Sequence, residues 1–246
     1  MQTLFEDKII KELSNYANNI NKKVYVVGGV VRDILLNRKA VGGKDIDLTG
    51  NLTWEEIKSF LTAQEIQFEV KNRKLEVLSF VVNENSYEYA RLRKEQYLKK
   101  DTHTPSEVQF VDEVEEDAKR RDFTVNSVYY DRHSNSLLDP VGGVEDIKSK
   151  IIKPVLGEDT FKVDPARIIR FIELAVRHNL KFSKDVGSWV KKYATNIKNL
   201  TAGRVNKELK RLFMIGKYYD EKTSYIDRVR DMINKLNLQD ILKFDI

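Results

Sequence analysis

Asp45 and Asp47 are separated by a single residue, Ile46. On a β-strand, residues i and i+2 share a face, so this spacing predicts two carboxylates pointing one way while Ile46 packs inward. Two acids this close repel each other unless a cation or a solvent front compensates. Phosphoryl transfer uses such a pair to hold two Mg²⁺ ions about 3.5–4 Å apart, one at the attacking hydroxyl and one at the triphosphate. Solvent-facing strands also carry Asp-x-Asp with no such role, so the pair needs company.

Gly28-Gly29-Val30-Val31-Arg32-Asp33 begins seventeen residues upstream. Glycines between a strand and a helix let a phosphate approach the backbone and the free N–H groups of the first helical turn. The same dipeptide also serves an ordinary tight turn. What is distinctive is the combination with the acid pair.

The elements that must position these residues follow from patterning. Apolar residues at helical spacing predict a first helix over about Leu4 to Ile20. Val24–Val27 reads as a buried strand ended by the glycines, Val30–Leu36 as a helix, and Asp45–Thr49 as a second strand. Thr53-x-x-Glu56 is a capping box that opens a helix to about Leu61. Val77–Val82 and Tyr87–Arg91 form the arms of a hairpin turning at Asn83-Glu84-Asn85. From about Asp164 only helical patterns remain, so the seam falls between Val155 and Asp164.

Composition narrows the class. The 246 residues suffice for one large domain or two modest ones, and 41% hydrophobic with 33% charged residues describes a packed, well-solvated chain. The absence of cysteine excludes disulfides and thiolate metal sites. Three histidines (His103, His133 and His178) are too few and too scattered for a His-rich hydrolase centre. Met1 to Ile10 lacks the apolar core of a signal peptide, and no run approaches the length of a membrane span, so the expectation is a cytoplasmic protein with no membrane partner. The net charge of +5 is compatible with a polyanionic partner. Between Lys191 and Lys217 lie eight basic residues and one acid, Glu208. Such a run is either a solvated face or a track for an RNA backbone. On the second reading Lys191, Lys192, Lys198, Lys207, Lys210 and Arg211 are the expected phosphate contacts.

Gly28-Gly29-x-Val31-Arg32-Asp33 followed by Asp45-Ile46-Asp47 resembles the first signature of class II CCA-adding enzymes and bacterial poly(A) polymerases, within the polymerase-β nucleotidyltransferase superfamily. Asp117-x-x-Arg120-Arg121-Asp122-Phe123-Thr124-Val125-Asn126, then Leu138-Asp139-Pro140-x-Gly142-Gly143-x-x-Asp146, is similar to that family's ribose- and phosphate-recognising block. The resemblance implies an α+β fold: a polymerase-β-like head with a small mixed sheet over residues 1–155, followed by an all-α neck or partial body over 156–246. It implies Asp45, Asp47 and Glu88 as catalytic carboxylates, with Asp45 and Asp47 holding two Mg²⁺ ions. Gly28, Gly29, Arg32, Asp117, Arg120, Arg121, Asn126 and Arg170 are implied nucleotide contacts. The guanidinium groups suit a triphosphate, and an Asp/Asn pair can hydrogen-bond a ribose 2′-OH.

Asp164-Pro165-Ala166-Arg167 opens the helical half: Pro165 suits a first helical turn and Asp164 its cap, while a spacing of three puts Asp164 and Arg167 on one helix face. A carboxylate only accepts hydrogen bonds and Arg only donates them. Cytosine and adenine each offer an amine beside a ring acceptor and fit the pair, whereas uracil and guanine present the opposite polarity. The family's corresponding motif is described in that base-selecting role.

Departures exist. Val163 stands where the family usually has Glu, and Glu173 in Arg170-Phe171-Ile172-Glu173-Leu174 stands where it has a basic residue. The loop that often carries Asp-x-x-Arg reads Asp101-Thr102-His103-Thr104 here. Arg204-x-x-x-Glu208 resembles the family's last motif, a neck-helix brace. The resemblance spans about residues 23–212, with 34 residues after it, whereas family members continue into a helical body and tail. A truncated chain, a minimal enzyme, or a second subunit (including a homo-oligomer) that supplies the grip are the three accounts of this.

The expected activity is addition of C and A to the 3′ end of tRNA from CTP and ATP. Close variants are CC-only or A-only addition, and the runner-up is a poly(A) polymerase. An inactive RNA-binding module is the reading from another class.

Overall fold

The computed structural model describes residue 4 and residues 6–37, 45–97, 105–214 and 222–242. The expected loop at Asp101–Thr104 lies outside the described residues. The chain forms two compact units, one of residues 1–95 and 108–148, the other of residues 96–107 and 149–246. The division after Lys148 comes before the seam expected beyond Val155.

The first unit is built on a seven-stranded mixed sheet. Its strands are β1 (Val24–Val27), β2 (Asp45–Gly50), β3 (Phe68–Asn72), β4 (Val77–Val82), β5 (Asn85–Arg91), β8 (Tyr129–Asp131) and β9 (Ser136–Leu138). They lie in the order β3-β4-β5-β2-β1-β8-β9. A two-stranded sheet pairs β6 (Arg93–Gln96) with β7 (Glu107–Phe110). β2 and β5 run parallel, while β1–β2, β1–β8, β3–β4, β4–β5 and β8–β9 are antiparallel. All four residues of β1 are buried, as befits an apolar run in the interior of a sheet. The β4–β5 hairpin turns on Asn83 and Glu84, both at positive φ, so the loop has two residues and Asn85 already pairs with Val82.

Helix α1 (Lys8–Asn19) starts later than the apolar pattern alone implies, because Asp7 caps it and accepts from the Ile10 N–H at 3.0 Å. Its buried stripe is Ile9, Ile10, Leu13 and Ala17, the period of a helix lying on the sheet. Helix α2 (Gly29–Leu35) follows the glycine turn, and α3 (Trp54–Ala63) carries the expected Thr53/Glu56 capping box. The short α4 (Val114–Ala118), a 3₁₀ turn over Thr124–Asn126, and α5 (Gly143–Lys148) complete the unit. The sheet is larger than the small one expected. β3 lies outside the expected elements although Phe68 and Val70 alternate with Glu69 and Lys71, and four of its five residues are exposed.

The second unit is helical: α6 (Asp159–Val163), α7 (Ala166–His178), α8 (Lys184–Tyr193), α9 (Ala202–Met214) and α10 (Lys222–Lys235). α7 is the central element, with eleven of its thirteen residues buried, and both α9 and α10 pack on it. Phe171 meets Phe161 and Phe182 edge-on at ring separations of 6.0 and 5.1 Å. Tyr225, Val229 and Ile233 of α10 are buried, so this helix closes the hydrophobic core of the unit.

Candidate active site

β2 alternates as the acid spacing requires: Asp45 and Asp47 are exposed, and Ile46 and Leu48 are buried. The parallel register sets Asp47 beside Glu88 of β5 and Asp45 beside Ser86. Glu88 is exposed as well. The three carboxylates therefore belong to adjacent strands. Among the described residues, no three His, Cys, Asp or Glu side chains gather closely enough to hold a metal ion by themselves.

The glycine turn is tied to this pair. Val27 of β1 is the register partner of Asp47, and the chain then turns through Gly28 at φ +80°. A Cβ on Gly28 would stand 2.8 Å from Asp47 Oδ2. Gly28 thus satisfies two demands, a left-handed backbone and room for the carboxylate. Asp45 and Asp47 fit divalent ions on chemistry alone, as exposed oxygen donors on one face, with further ligands left to a triphosphate.

The second signature resolves into supports and guanidinium groups. Asp117 is fully buried and takes four hydrogen bonds: from the Arg93 N–H at 3.2 Å, Arg120 Nε at 2.8 Å, Arg121 Nε at 2.9 Å and Tyr129 Oη at 2.8 Å. Burial pushes its carboxyl upward, but Arg120, Arg121 and the Tyr129 hydrogen bond outweigh burial and hold it well below the usual carboxylate range. Asp117 acts as the anchor of both guanidinium planes, and as an interior group it can influence a nucleotide only through them. Arg121 also lies over the Tyr129 ring, 5.0 Å from its centroid.

Asp139 accepts from the Gly143 and Val144 N–H groups at 2.6 and 2.9 Å, and Asp146 accepts from the Thr124 hydroxyl at 2.6 Å. A Cβ on Gly143 would stand 2.1 Å from the Thr124 carbonyl oxygen. This half of the signature presses α5 onto the Thr124–Asn126 turn. Arg32 and Asn126, expected at the nucleotide, are both buried and hydrogen-bond each other at 2.6 Å. Glu95 was not singled out from sequence; it accepts from Arg93 Nε at 2.8 Å and faces Arg120 Nη1 at 3.9 Å. Only its spacing of two from Arg93 on one strand could have flagged it.

In the second unit Asp164 sits ahead of α7 in extended backbone (φ −136°, ψ 95°), not on the helix face that its spacing suggested. It accepts from the Ala166 N–H at 3.1 Å and Arg204 Nη2 at 3.2 Å, with Arg167 Nε at 3.8 Å. Arg204 also pairs with Glu208 at 3.1 Å, so the last motif braces Asp164 directly. A cleft of about 700 Å³ is lined by Arg170, Arg204, Lys207, Lys210 and Arg211 with Glu208. Three of the six expected RNA contacts, Lys207, Lys210 and Arg211, line it. Lys191 and Lys198 are exposed on α8 and the turn after it. Lys192 is engaged otherwise, 2.7 Å from Glu158 and above the Tyr193 ring.

A strand-borne acid pair beside a glycine turn, in a unit where one buried aspartate anchors two arginines, defines a nucleotidyltransferase-type head. Residues 24–153 match the family described as the poly A polymerase head domain, and the chain belongs to that family. It is 33% identical over 210 residues to the CCA-adding enzyme of Staphylococcus haemolyticus, covering 82% of this chain and 50% of that one. It is 27% identical over 213 residues to poly(A) polymerase I of Salmonella typhimurium, covering 82% and 44%. A solved tRNA nucleotidyltransferase, complexed with a primer tRNA and an incoming ATP analog, superimposes with a TM-score of 0.73 at 25% identity, over 94% of this chain and 62% of that one. The chain spans about half the length of the curated relatives it matches. Among the described residues, no helix is long and apolar enough to cross a membrane.

Proposed function

We propose that this chain transfers nucleoside monophosphates from CTP and ATP to the 3′ end of a tRNA in the cytoplasm, without a nucleic-acid template. The observation that carries the reading is the register of Asp47 with Glu88, with Asp45 two residues along the same face and Gly28 packed under Asp47. In this reading residues 1–155 are the catalytic head and residues 156–246 the neck, and Asp45 and Asp47 hold Mg²⁺. The metal supplies charge neutralisation at the triphosphate and lowers the pKa of the attacking hydroxyl.

The chain's own residues do the rest. Glu88 adds a third carboxylate beside Asp47, and the Arg120 and Arg121 planes, fixed by Asp117, receive phosphate charge. Asp122 takes the ribose 2′-OH. Asp164 accepts the exocyclic amine of C or A, and Arg167 donates to the neighbouring ring acceptor. Lys207, Lys210 and Arg211 hold the RNA backbone. The resemblance to poly(A) polymerase I favours A-only tailing as a second reading, although the CCA-adding relative is the more similar in sequence.

The test is incubation of a tRNA ending at its discriminator base, and of an unstructured RNA, with each NTP separately and with CTP and ATP together, with product length read on a gel. Growth with CTP and ATP that stops at three residues supports the proposal. Unlimited A tails on an unstructured RNA support the second reading, and equal use of all four NTPs overturns the selection by Asp164 and Arg167.

A further inference from the structure

Arg32 and Asp122 lie at opposite ends of one side-chain amide. Arg32 is 2% exposed; its Nε and Nη2 stand 2.8 and 2.7 Å from Asp33 Oδ1, and its Nη1 donates to Asn126 Oδ1 at 2.6 Å. The other end of the amide, Asn126 Nδ2, donates to Asp122 Oδ1 at 3.1 Å, and the same oxygen accepts from the Phe123 N–H at 2.8 Å. Asn126 itself is 7% exposed. A carboxamide suits this position because it offers an acceptor to the cation and a donor to the carboxylate at once. An acid there would face Asp122 as a like charge, and a base would face Arg32 in the same way.

The span matters as much as the chemistry. Arg32 belongs to α2, directly after the glycine turn, whereas Asp122 precedes the 3₁₀ turn and Asn126 is its last residue. α5 presses on that turn through Gly143 and Asp146, and Arg32 holds Asn126 through the amide. Asp122 is thereby fixed relative to the turn that carries Gly28.

We propose that Asn126 is a positioning residue that aims Asp122 at the ribose 2′-OH, and so sets the preference for ribonucleotides over deoxyribonucleotides without itself touching the substrate. This rests on the reading of Asp122 given under the proposed function. A brace that only held the fold would lower activity on both sugars alike, whereas an aimed carboxylate affects only the sugar that carries the hydroxyl.

The test is the ratio of kcat/KM for CTP to that for 2′-deoxy-CTP, taken on one preparation of the full chain, so that the active fraction cancels. Wild type is compared with Asp122→Asn, Asn126→Asp and Asn126→Ser, the last too short to span both partners. Asp122→Asn and both Asn126 variants are expected to lower the ratio by about tenfold, the scale of one lost hydrogen bond to a charged group. If Asn126→Asp does not fold, Asn126→Ser carries the same measurement. An unchanged ratio in the Asn126 variants, with a lowered one in Asp122→Asn, overturns the positioning role and leaves the ribose reading standing. A ratio unmoved even in Asp122→Asn overturns both.

Discussion

Asp47 Oδ2 lies 2.8 Å from the point where a Cβ on Gly28 would stand, although the two residues are nineteen positions apart in sequence. Gly28→Ala should therefore act on the carboxylate before it acts on the fold. The new methyl displaces a side-chain tip, and φ +80° adds a backbone cost of about 1–2 kcal/mol. Because a shift of about 1 Å in a catalytic group can cost on the order of 10²-fold, nucleotide transfer should fall at least tenfold while the melting temperature drops by only a few degrees. Single-turnover kinetics beside a thermal melt checks this. Full activity in the variant would show that Asp47 needs no fixed position.

Asp45→Asn and Asp47→Asn should each abolish transfer and leave stability equal or slightly higher. Each removes one of two like charges that stand on the same strand face, and neither side chain fills the core. Transfer within tenfold of wild type in both variants would remove the metal site from these residues.

Asp117 gives a prediction in pH. Its folded-state carboxyl is held below the usual range, so the stabilisation it brings is complete above the unfolded value of about 3.9 and fades as pH falls below it. Asp117→Asn leaves two arginines facing a neutral amide, a change of about 3–5 kcal/mol for a broken buried pair. The variant should be much less stable at pH 7, and its urea midpoint should fall less steeply than that of wild type between pH 5 and pH 3. Parallel acid limbs would mean that other carboxylates dominate.

What could be read from the chain alone follows physical range. The two-residue period exposed Asp45 and Asp47, and the capping box at Thr53 marked the start of α3, because both depend on neighbours a few residues apart. The spacing of Asp117 from Arg120 and Arg121 was legible, but its burial was not. Arg93 and Tyr129, which complete its shell, come from distant strands. Lys192 looked like a track residue for the same reason, since its partner Glu158 is 34 positions away. Of the two readings of Asp164, the capping position is the one its local bond fits, since it accepts from the Ala166 N–H where the helix starts. The helix-face reading placed it too far into the helix. The strand β3 was legible too, since Phe68 and Val70 alternate with Glu69 and Lys71, although its edge position leaves four of its five residues exposed.

The same range limits the six expected RNA contacts, and the cleft on α7 and α9 now separates them. Arg204 is held between Asp164 and Glu208, and Arg211 meets the buried Glu173 at 3.7 Å. Lys207 and Lys210 line the cleft and form no ion pair among the described residues. Their charge is the most available to a phosphodiester, so Lys207→Glu with Lys210→Glu should weaken tRNA binding and flatten the slope of log K against log salt by about 1.5, at roughly 0.7–0.9 per lost phosphate contact. KM for CTP should stay where it is. Lys192→Glu serves as the control: it breaks the link to Glu158 on a different helix and should leave the slope unchanged. Fluorescence polarisation of a labelled tRNA across roughly 50–300 mM salt reads both, over a span in which screening changes strongly. A slope that flattens with Lys192→Glu, and not with the double reversal, would move the RNA track from α9 to α8.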